Sequence, residues 1–233
     1  MEFTSDGYDV DPDFLDRALN EWDACATEEA IRIRERVGDG EVVVVTVGDQ
    51  EAENALRRCL AMGADRAIRV EAEPLDPVST ARALAGIVAS ESPDLVLTGV
   101  QSADSVQGST GAALAELVGL PRVAVVTRLD WNGSGPAMAD RELEGGLVDV
   151  VEVDTPALLT IQTGINQPRY ANLRAIKQAE QREIAVVTAD VGEPAYRVRR
   201  MFTPPRTAGA EMLDGGPERV AQRIVELVQE RLK

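Results

Sequence analysis

The polar residues best placed for ligand binding lie between Gly99 and Thr110, in the sequence Gly-Val-Gln-Ser-Ala-Asp-Ser-Val-Gln-Gly-Ser-Thr. This segment follows a short apolar run and precedes a helical pattern. It therefore leaves the carboxyl end of a strand, which is where ligands bind in open α/β sheets. Its last residues, Gly108, Ser109 and Thr110, offer backbone N–H groups and hydroxyls at a helix N-terminus, and that combination suits a phosphate group.

Two more side chains of this segment, those of Gln101 and Asp104, could hydrogen-bond a ribose or a base. The alternative is that Ser109 and Thr110 only cap the following helix. The sequence contains neither a Walker pattern nor a complete Gly-x-Gly-x-x-Gly. The residues alone therefore leave nucleotide binding and simple capping both open.

Several catalytic classes are excluded by composition. The sequence has no histidine, which rules out Ser-His-Asp and Cys-His nucleophilic sites. Its two cysteines, Cys25 and Cys59, provide neither a disulfide framework nor a zinc-binding spacing.

The net charge is strongly negative. Among 233 residues, 40 are acidic and 24 basic, which gives −16, and only 3% are aromatic. Such a chain is repelled by nucleic acids and by anionic membranes. The basic residues include only two lysines, Lys177 and Lys233, which favours a salt-adapted, halophilic protein, with compositional drift in a GC-rich genome as the alternative.

No apolar run reaches the length of a membrane span. The opening residues, Met-Glu-Phe-Thr-Ser-Asp, lack the basic and apolar regions of a signal peptide. We therefore expect a cytoplasmic protein.

The elements that position the Gly99–Thr110 segment alternate along the chain. Predicted strands begin at residues 42, 67, 94 and 122, and a predicted helix follows each of the first three. This spacing is typical of βαβ units and indicates an α/β fold with a doubly wound, mostly parallel sheet. The predicted strands are Val42–Val47, Ala67–Val70, Asp94–Thr98 and Arg122–Leu129, and the predicted helices are Asp23–Val37, Gln50–Met62, 76–89 and Thr110–Val118.

The pattern changes after residue 130. Leu147–Val153 alternates as a half-exposed strand, and Ala157–Gln162 forms a further strand. Because no helix separates these two strands, we expect them to pair antiparallel. Residues 166–178 are predicted to form a loop leading into a short helix, residues 190–216 an extended arm, and Pro217–Leu232 an amphipathic helix. The predicted domains are thus a nucleotide-binding α/β domain at 1–189 and a C-terminal arm and helix at 190–233.

The predicted sheet lacks a first strand. In a doubly wound sheet that strand lies near the centre, yet residues 1–20 are acidic, contain Gly7 and Pro12, and have no apolar run of strand length. Without it, the strands on either side lose hydrogen-bond partners. We therefore expect a gap or a poorly paired seam between Val42–Val47 and Asp94–Thr98, and we hypothesise that the native protein begins upstream of Met1.

Six segments together resemble the beta subunit of electron transfer flavoprotein. They occur in the family's order and at its spacing, from about residue 7 to the end of the chain. Each is weak alone, but six collinear matches over nearly the whole chain are specific. The segments are Asn20–Ala24, Leu60–Arg66, Gly99–Gly111, Arg141–Gly146, Asn166–Ala171 and Pro204–Gly209.

The resemblance implies an electron carrier and not an enzyme with its own substrate. The family's beta subunit has an adenine-nucleotide hydrolase-like sheet and pairs with an alpha subunit that holds most of an FAD, on which the C-terminal arm and helix would pack. The heterodimer takes electrons from flavoprotein dehydrogenases, such as the acyl-CoA dehydrogenases of fatty acid oxidation. It passes them to a membrane quinone oxidoreductase. The beta subunit itself holds AMP in most members and a second FAD in the electron-bifurcating branch.

The resemblance also implies a set of cofactor-binding residues. The loop ends in Gly-Ser-Thr-Gly, similar to the Asn-Gln-Thr-Gly of AMP-binding members, and lacks the Asp-Gly-Asp-Thr-Ala-Gln-Val-Gly run of bifurcating members, which favours AMP. Val100 and Ser105 depart from both patterns. Trp22 would lie near the alpha-subunit flavin, where a flat apolar ring can shield and stack, the alternative being an ordinary core tryptophan. The residues carried over are Asn20, Glu21, Trp22, Asp23, Val47, Gly99, Gln101, Ser102, Asp104, Gly108, Ser109 and Thr110.

A docking site is implied further along the chain. Leu173 matches the leucine that anchors the family's recognition loop to partner dehydrogenases, and Arg169 and Tyr170 belong to the same loop. An exposed loop leucine suits a docking hot spot, although the residues alone favour ordinary helix packing. The family's basic run after the loop is replaced here by Gln-Ala-Glu-Gln-Arg-Glu at 178–183, which does not support electrostatic steering of acidic partners.

Two other classes share part of the pattern. A universal-stress-type nucleotide-binding module has the same sheet and phosphate loop, but is usually shorter and homodimeric and lacks the 190–233 extension. An enzyme of the adenine-nucleotide hydrolase superfamily would need a Ser-Gly-Gly-x-Asp-Ser pyrophosphatase loop, which this sequence does not contain. Purification distinguishes the first class, since a flavoprotein is a yellow heterodimer and a stress-type module a colourless homodimer.

Overall fold

The computed structural model describes residues 3–11, 13, 15, 17–73, 76–204 and 212–232. These residues fall into two compact units, one within 12–198 and the other within 1–11 and 199–233. The larger unit contains the Gly99–Thr110 segment.

Strands and helices alternate through the first half of the larger unit, followed by a run of strands. In chain order its elements are α1 (Glu21–Val37), β1 (Val43–Val47), α2 (Glu53–Met62), β2 (Arg66–Glu71), α3 (Pro77–Glu91), β3 (Leu95–Gly99), α4 (Thr110–Val118), β4 (Arg122–Asp130), β5 (Ala137–Leu143), β6 (Leu147–Val153), β7 (Ala157–Ile161), α5 (Leu173–Glu180) and β8 (Ala185–Thr188).

These strands form two sheets. One has three strands in the order β1-β2-β8, all parallel, and the other has five in the order β3-β7-β4-β5-β6. In the larger sheet β3, β7 and β4 are parallel, while β4, β5 and β6 form an antiparallel meander. The predicted α/β fold with mostly parallel strands is confirmed.

Helices cover both faces of the central strand β7. Leu159 packs with the core around Ala26 and Ile33 of α1, and its neighbour Leu158 packs with Leu114 of α4. Successive strand residues point to opposite faces, so a strand covered on both sides is largely apolar. Four of the five residues of β7, Ala-Leu-Leu-Thr-Ile, are apolar and all five are buried, and the Thr160 hydroxyl accepts a 3.0 Å hydrogen bond from the Val125 N–H.

The expected seam is present. β1 and β3 are the outermost strands of their sheets, and a cavity of about 770 Å³ is lined by Val43–Val47 of β1 and by Leu95–Thr98 of β3. Every residue of both strands is only half-buried, although β1 reads Val-Val-Val-Thr-Val and β3 reads Leu-Val-Leu-Thr-Gly. The apolar side chains of α1 and α3 complete the walls of this cavity.

One predicted pairing is wrong. Leu147–Val153 does not pair with Ala157–Gln162; instead, β6 pairs with β5, and β7 lies parallel between β3 and β4. The reason is burial, because a wholly apolar strand belongs at the centre of a sheet and the alternating β6 suits an edge. Strands β5 and β8 were not predicted, and α1 begins at Glu21 rather than Asp23.

The smaller unit contains α6 (Pro217–Arg231) and an antiparallel bridge between Phe3 and Val10. No residue of α6 is buried. Residues 190–204 contain neither helix nor strand, in keeping with the predicted arm, and 205–209 of the last matched segment lie outside the described residues. Within the described part of the chain, no helix combines the length and apolar character needed to cross a membrane.

Candidate functional site

The start of α1 meets the carboxyl end of β3. The Asp23 carboxylate accepts a 2.7 Å hydrogen bond from the Gly99 backbone N–H through Oδ1, and Oδ2 accepts a 2.7 Å bond from Asn20. The Asn20 amide also donates to the Gln101 carbonyl oxygen at 2.8 Å. The structure therefore brings together the two segments, 20–23 and 99–110, that the sequence assigned to one site.

Gly99 is required for this close approach. A Cβ atom there would lie 2.6 Å from the Trp22 Cβ and 3.1 Å from the backbone nitrogen of Asp23. Side-chain carbons do not pack this closely, so a larger residue would push α1 away from the strand end.

The Asn20 side chain leaves one polar atom without a partner. Its Oδ1 is buried and accepts no hydrogen bond within the described part of the chain. A buried acceptor left unpaired is costly, and such atoms are usually satisfied by water or by a ligand.

Val47 reaches the same crevice from β1. Its side chain, together with Asn20 and Asp23, lines the cavity that separates β1 from β3. The predicted site residues thus surround the carboxyl ends of two strands that belong to different sheets. A crevice of this kind is the usual ligand position in α/β proteins.

The loop after Gly99 folds back on itself. The Ser102 and Ser105 hydroxyls lie 2.8 Å apart, and Asp104 accepts from the Ser105 backbone N–H. The hydrogen bond from Ser102 is the largest influence on Asp104 and holds the pKa of its carboxyl below the ordinary value, against the opposing effect of burial. Asp104 therefore stays ionised and fixes the turn, and its carboxylate is directed at its own loop.

The N-terminus of α4 is free of a side-chain cap. Ser109 occupies the N-cap position, yet its hydroxyl makes no capping hydrogen bond, which argues against capping as its role. Gly108 adopts a left-handed conformation, with φ of 59°. The first N–H groups of α4 remain available as donors, as an anion site at a helix N-terminus needs.

Gly111 allows α4 to pack closely on the sheet. A Cβ atom at this position would lie 2.8 Å from both Thr160 Cγ2 and Thr98 Oγ1. The absence of a side chain lets the first turn of α4 lie directly over β3 and β7. The helix N-terminus is thereby held at the strand ends.

Two residues near the site were not found from the sequence. The Trp22 indole N–H donates to the Gln162 Oε1 at 2.8 Å, and the Tyr196 hydroxyl donates to Gln107 in the loop. Gln162 follows the end of β7, so the rule that ligands gather at carboxyl strand ends could have found it. Tyr196 comes from the arm, and no local sequence signal marks it. Glu21, the remaining predicted residue, is exposed at the start of α1.

The predicted docking residues fall into two groups. Tyr170 is 92% exposed and Leu173 is 77% exposed. Leu173 is the first residue of α5, whose N-terminus is capped by Asn172 through a 2.9 Å bond from the Ala175 N–H. Arg169, in contrast, is held by internal ion pairs with Glu28 and Glu35.

Neither cysteine is positioned to act as a nucleophile or a metal ligand. Cys25 and Cys59 are free and buried. Burial raises the pKa of both thiols, that of Cys59 to about 11, so both are protonated near neutral pH. Within the described residues, no cluster of acidic or cysteine side chains could hold a metal ion.

Fold and site together define an α/β protein with a crevice between the strands β1 and β3 of its two sheets. The chain belongs to the electron transfer flavoprotein family, because the family model described as "Electron transfer flavoprotein domain" matches residues 13–191. The predicted beta-subunit family is thereby confirmed, and with it the role of an electron carrier rather than an enzyme.

Full-length similarity supports this assignment. The electron transfer flavoprotein subunit beta of Methylophilus methylotrophus is 44% identical over 99% of this chain and 92% of its own length. The subunit beta of Syntrophomonas wolfei is 34% identical over 92% of this chain and 85% of its own length. That of Bacillus subtilis is 32% identical over 96% of this chain and 90% of its own length.

Proposed function

We propose that this chain is the beta subunit of a heterodimeric electron transfer flavoprotein. Its partner is an alpha subunit that holds most of an FAD. The heterodimer accepts electrons from flavoprotein dehydrogenases, such as acyl-CoA dehydrogenases of fatty acid oxidation, and delivers them to a quinone oxidoreductase. The acidic, lysine-poor composition suits a halophilic setting, since salt screens the repulsion among the carboxylates.

AMP is the proposed nucleotide of this subunit. The observation that supports this assignment is the meeting of segments 20–23 and 99–110 at the carboxyl end of β3, where the buried Asn20 Oδ1 has no hydrogen-bond donor among the described residues. An adenine amino group or a ribose hydroxyl would satisfy it. The uncapped N-terminus of α4, with Ser109 and Thr110, would receive the phosphate.

FAD supplies the redox chemistry when it is bound. On this chain, Trp22 would shield the flavin, and its indole is held in place by the hydrogen bond to Gln162. No side chain of this subunit is required to transfer protons in the proposed role. The chain contributes positioning, shielding and docking.

Nucleotide analysis of the purified heterodimer tests the assignment. The chain is co-expressed with its alpha subunit, denatured, and the released nucleotides are identified by mass spectrometry. We expect one FAD and one AMP per heterodimer. Two FAD and no AMP would identify the electron-bifurcating type instead, and a colourless homodimer would indicate a universal-stress-type module.

Substitutions in the proposed site test where the nucleotide binds. Asn20→Ala and Thr110→Val should lower the AMP content and weaken heterodimer assembly while leaving the flavin spectrum unchanged. Asn166→Ala is a matched control, because Asn166 also carries a buried, unpartnered Oδ1 but hydrogen-bonds Cys25 and Glu29 and not the loop. Full AMP content in both site variants would place the nucleotide elsewhere.

A further inference from the structure

Arg169 is tied to α1 by two carboxylates. Its guanidinium donates to Glu28 through Nε at 2.8 Å and Nη2 at 3.2 Å, and its backbone N–H donates to the same carboxylate at 3.1 Å. It also donates to Glu35 through Nη1 at 2.6 Å and Nη2 at 3.0 Å. Paired N–H donors on a carboxylate fix both distance and angle, which a single ion pair does not.

Glu28 is an unusual anchor because it is a buried acid. It is only 2% exposed, and burial acts to raise the pKa of its carboxyl. The hydrogen bonds from Arg169 and Arg32 outweigh burial and hold the pKa below its ordinary value. Glu28 is therefore charged, and a buried charge is tolerated only while its partners stay in place.

Neighbouring contacts fasten the same loop to α1. Arg32 donates to the Gln167 carbonyl oxygen at 3.3 Å, and Asn166 donates to Glu29 at 3.0 Å. The far end of α5 is held separately by α2, where the Arg57 guanidinium donates to the carbonyl oxygens of Ala179 and Glu180. The segment is thus attached to α1 through residues 166–169 and to α2 at the C-terminal end of α5, while Leu173 stays exposed between these two attachments.

We propose that Arg169, clamped by Glu28 and Glu35, is a positioning residue that fixes Tyr170 and Leu173 for docking and does not itself contact the partner. This inference rests on the proposed docking role of Leu173. Four of the guanidinium's hydrogen bonds are made inside the chain, and two carboxylates already neutralise it. Rigid presentation matters because ordering a loop on binding reduces affinity.

A double-mutant cycle tests the mode of action. The purified heterodimer is assayed with an acyl-CoA dehydrogenase as electron donor, for wild type, Arg169→Met, Leu173→Ala and the double variant. Leu173→Ala should raise the KM for the carrier about thirtyfold and Arg169→Met about tenfold, with kcat unchanged. If Arg169 acts through Leu173, the double variant should show little more than the effect of Leu173→Ala alone. Multiplied effects would mean that Arg169 acts independently of Leu173, and that outcome would overturn the proposal.

Two further variants test the same clamp in case Arg169→Met does not fold. Arg169→Met leaves Glu28 buried without its main partner, which could unfold the loop. Glu35→Gln removes only the exposed half of the clamp, and Arg169→Lys keeps the charge but loses the paired donors. Both should raise the KM severalfold with unchanged flavin content, and an unchanged KM in both would contradict the clamp.

Hydrogen exchange distinguishes a failure of the Arg169 clamp from a failure of the proposed docking role of Leu173. In the heterodimer without dehydrogenase, Arg169→Met and Glu35→Gln should speed amide exchange in residues 170–176 and leave α2 unchanged. If exchange speeds up but Leu173→Ala leaves the KM unaltered, the clamp stands and the docking role fails. If exchange in 170–176 does not change, the clamp itself is wrong.

Discussion

Single side chains connect segments that are far apart in the chain. Asp23 accepts from Gly99, Trp22 donates to Gln162, and Arg169 binds Glu28. Each of these bonds spans more than 70 positions in the sequence. The candidate site is therefore built at the residue scale by a few long-range hydrogen bonds, and its sensitivity to mutation should be concentrated at those positions.

Gly99→Ala is predicted to disrupt the site. The added methyl would meet the Trp22 Cβ at 2.6 Å, and relief requires moving the start of α1. Overpacking of this kind costs about 1–3 kcal/mol, so the free energy of unfolding should fall and AMP content should drop with it.

Gly86→Ala is the matched control for that substitution. Nothing lies within 4 Å of a Cβ at Gly86, which sits inside α3. An alanine there should stabilise the protein by about 0.5–1 kcal/mol, because glycine is a poor helix former. The free energy of unfolding of each variant is measured by denaturant unfolding of the full chain. An equal change in the two variants would contradict the steric argument.

Residue roles were predictable from the sequence where the signal is local. The segment 99–110 was found because a strand end, glycines and hydroxyls follow one another directly. Gln162 was missed although it lies at the end of a predicted strand, and Tyr196 was missed because a hydrogen bond over 89 positions leaves no trace in spacing. Arg169 was assigned to docking from its place beside Leu173, and only its contacts with α1 suggest an internal role.

At the scale of the elements, β1 and β3 are only half-buried although their sequences suit fully buried strands. Both are rich in β-branched or apolar residues, yet each has one edge on the cavity between the sheets. β7 lies between two strands and is wholly buried. Edge strands lose hydrogen bonds more readily than central ones, so local stability should differ within one fold.

Amide exchange should show this difference. We predict that the cavity-facing amides of β1 and β3 exchange about tenfold faster or more than those of β7 under native conditions. The measurement is hydrogen exchange by NMR on the full chain. The amides of β2, which has strands on both sides, provide the internal control, and equal protection in β1, β2 and β7 would contradict the open seam.

Asp76 joins the start of α3 to the arm, and its contribution to the free energy of unfolding should depend on pH. Its carboxylate accepts from Ser79 at 2.7 Å and from the backbone N–H groups of Ala195 and Tyr196. Burial raises the pKa of this carboxyl, but the hydrogen bonds outweigh burial and leave the pKa lowered from 3.8. A lowered pKa in the folded state stabilises the protein above about pH 4, and that stabilisation is lost as the pH falls through the folded value.

Asp76→Asn should therefore destabilise the chain at neutral pH by about 1–2 kcal/mol, with the difference from wild type shrinking at lower pH. Unfolding free energies at pH 7 and at pH 3.5 give the comparison. Asp39→Asn is the control, because Asp39 is exposed and, among the described residues, its carboxylate accepts a hydrogen bond from the adjacent Gly40 N–H alone. A difference that stays constant with pH would show that the charge of Asp76 is not involved.

Elements were predicted well where hydrophobic periodicity and caps agree. The Asp76–Pro77 signal gave α3, and α4 was found with the bounds Thr110–Val118. The pairing of 147–153 with 157–161 was wrong, because sequence proximity favours hairpins while burial of β7 decides the actual order. β5 and β8 were missed since Ala-Met-Ala-Asp-Arg-Glu-Leu and Ala-Val-Val-Thr are polar or short.

At the scale of the whole molecule, α6 carries exposed apolar side chains that no described residue covers. Ile224, Val225 and Val228 are each about half exposed, and Leu232 just beyond the helix is 82% exposed. These side chains recur at helical spacing and form one apolar stripe. An exposed apolar stripe of this kind usually marks a protein interface, which agrees with the proposed alpha subunit as partner.

The isolated chain should therefore be vulnerable at α6, and the heterodimer should not be. Arg219 and Arg223 offer trypsin sites within the helix, and we expect cleavage there in the free chain and protection in the complex.

Val228→Gln should weaken the heterodimer about tenfold or more, because burying a valine on association contributes about 1.5 kcal/mol or more. Glu230→Gln is the control, since Glu230 lies on the side of the helix opposite the stripe. Dissociation constants from sedimentation give the comparison, and a free chain that resists trypsin at α6, or a Val228→Gln heterodimer of unchanged affinity, would mean that the stripe is not the interface.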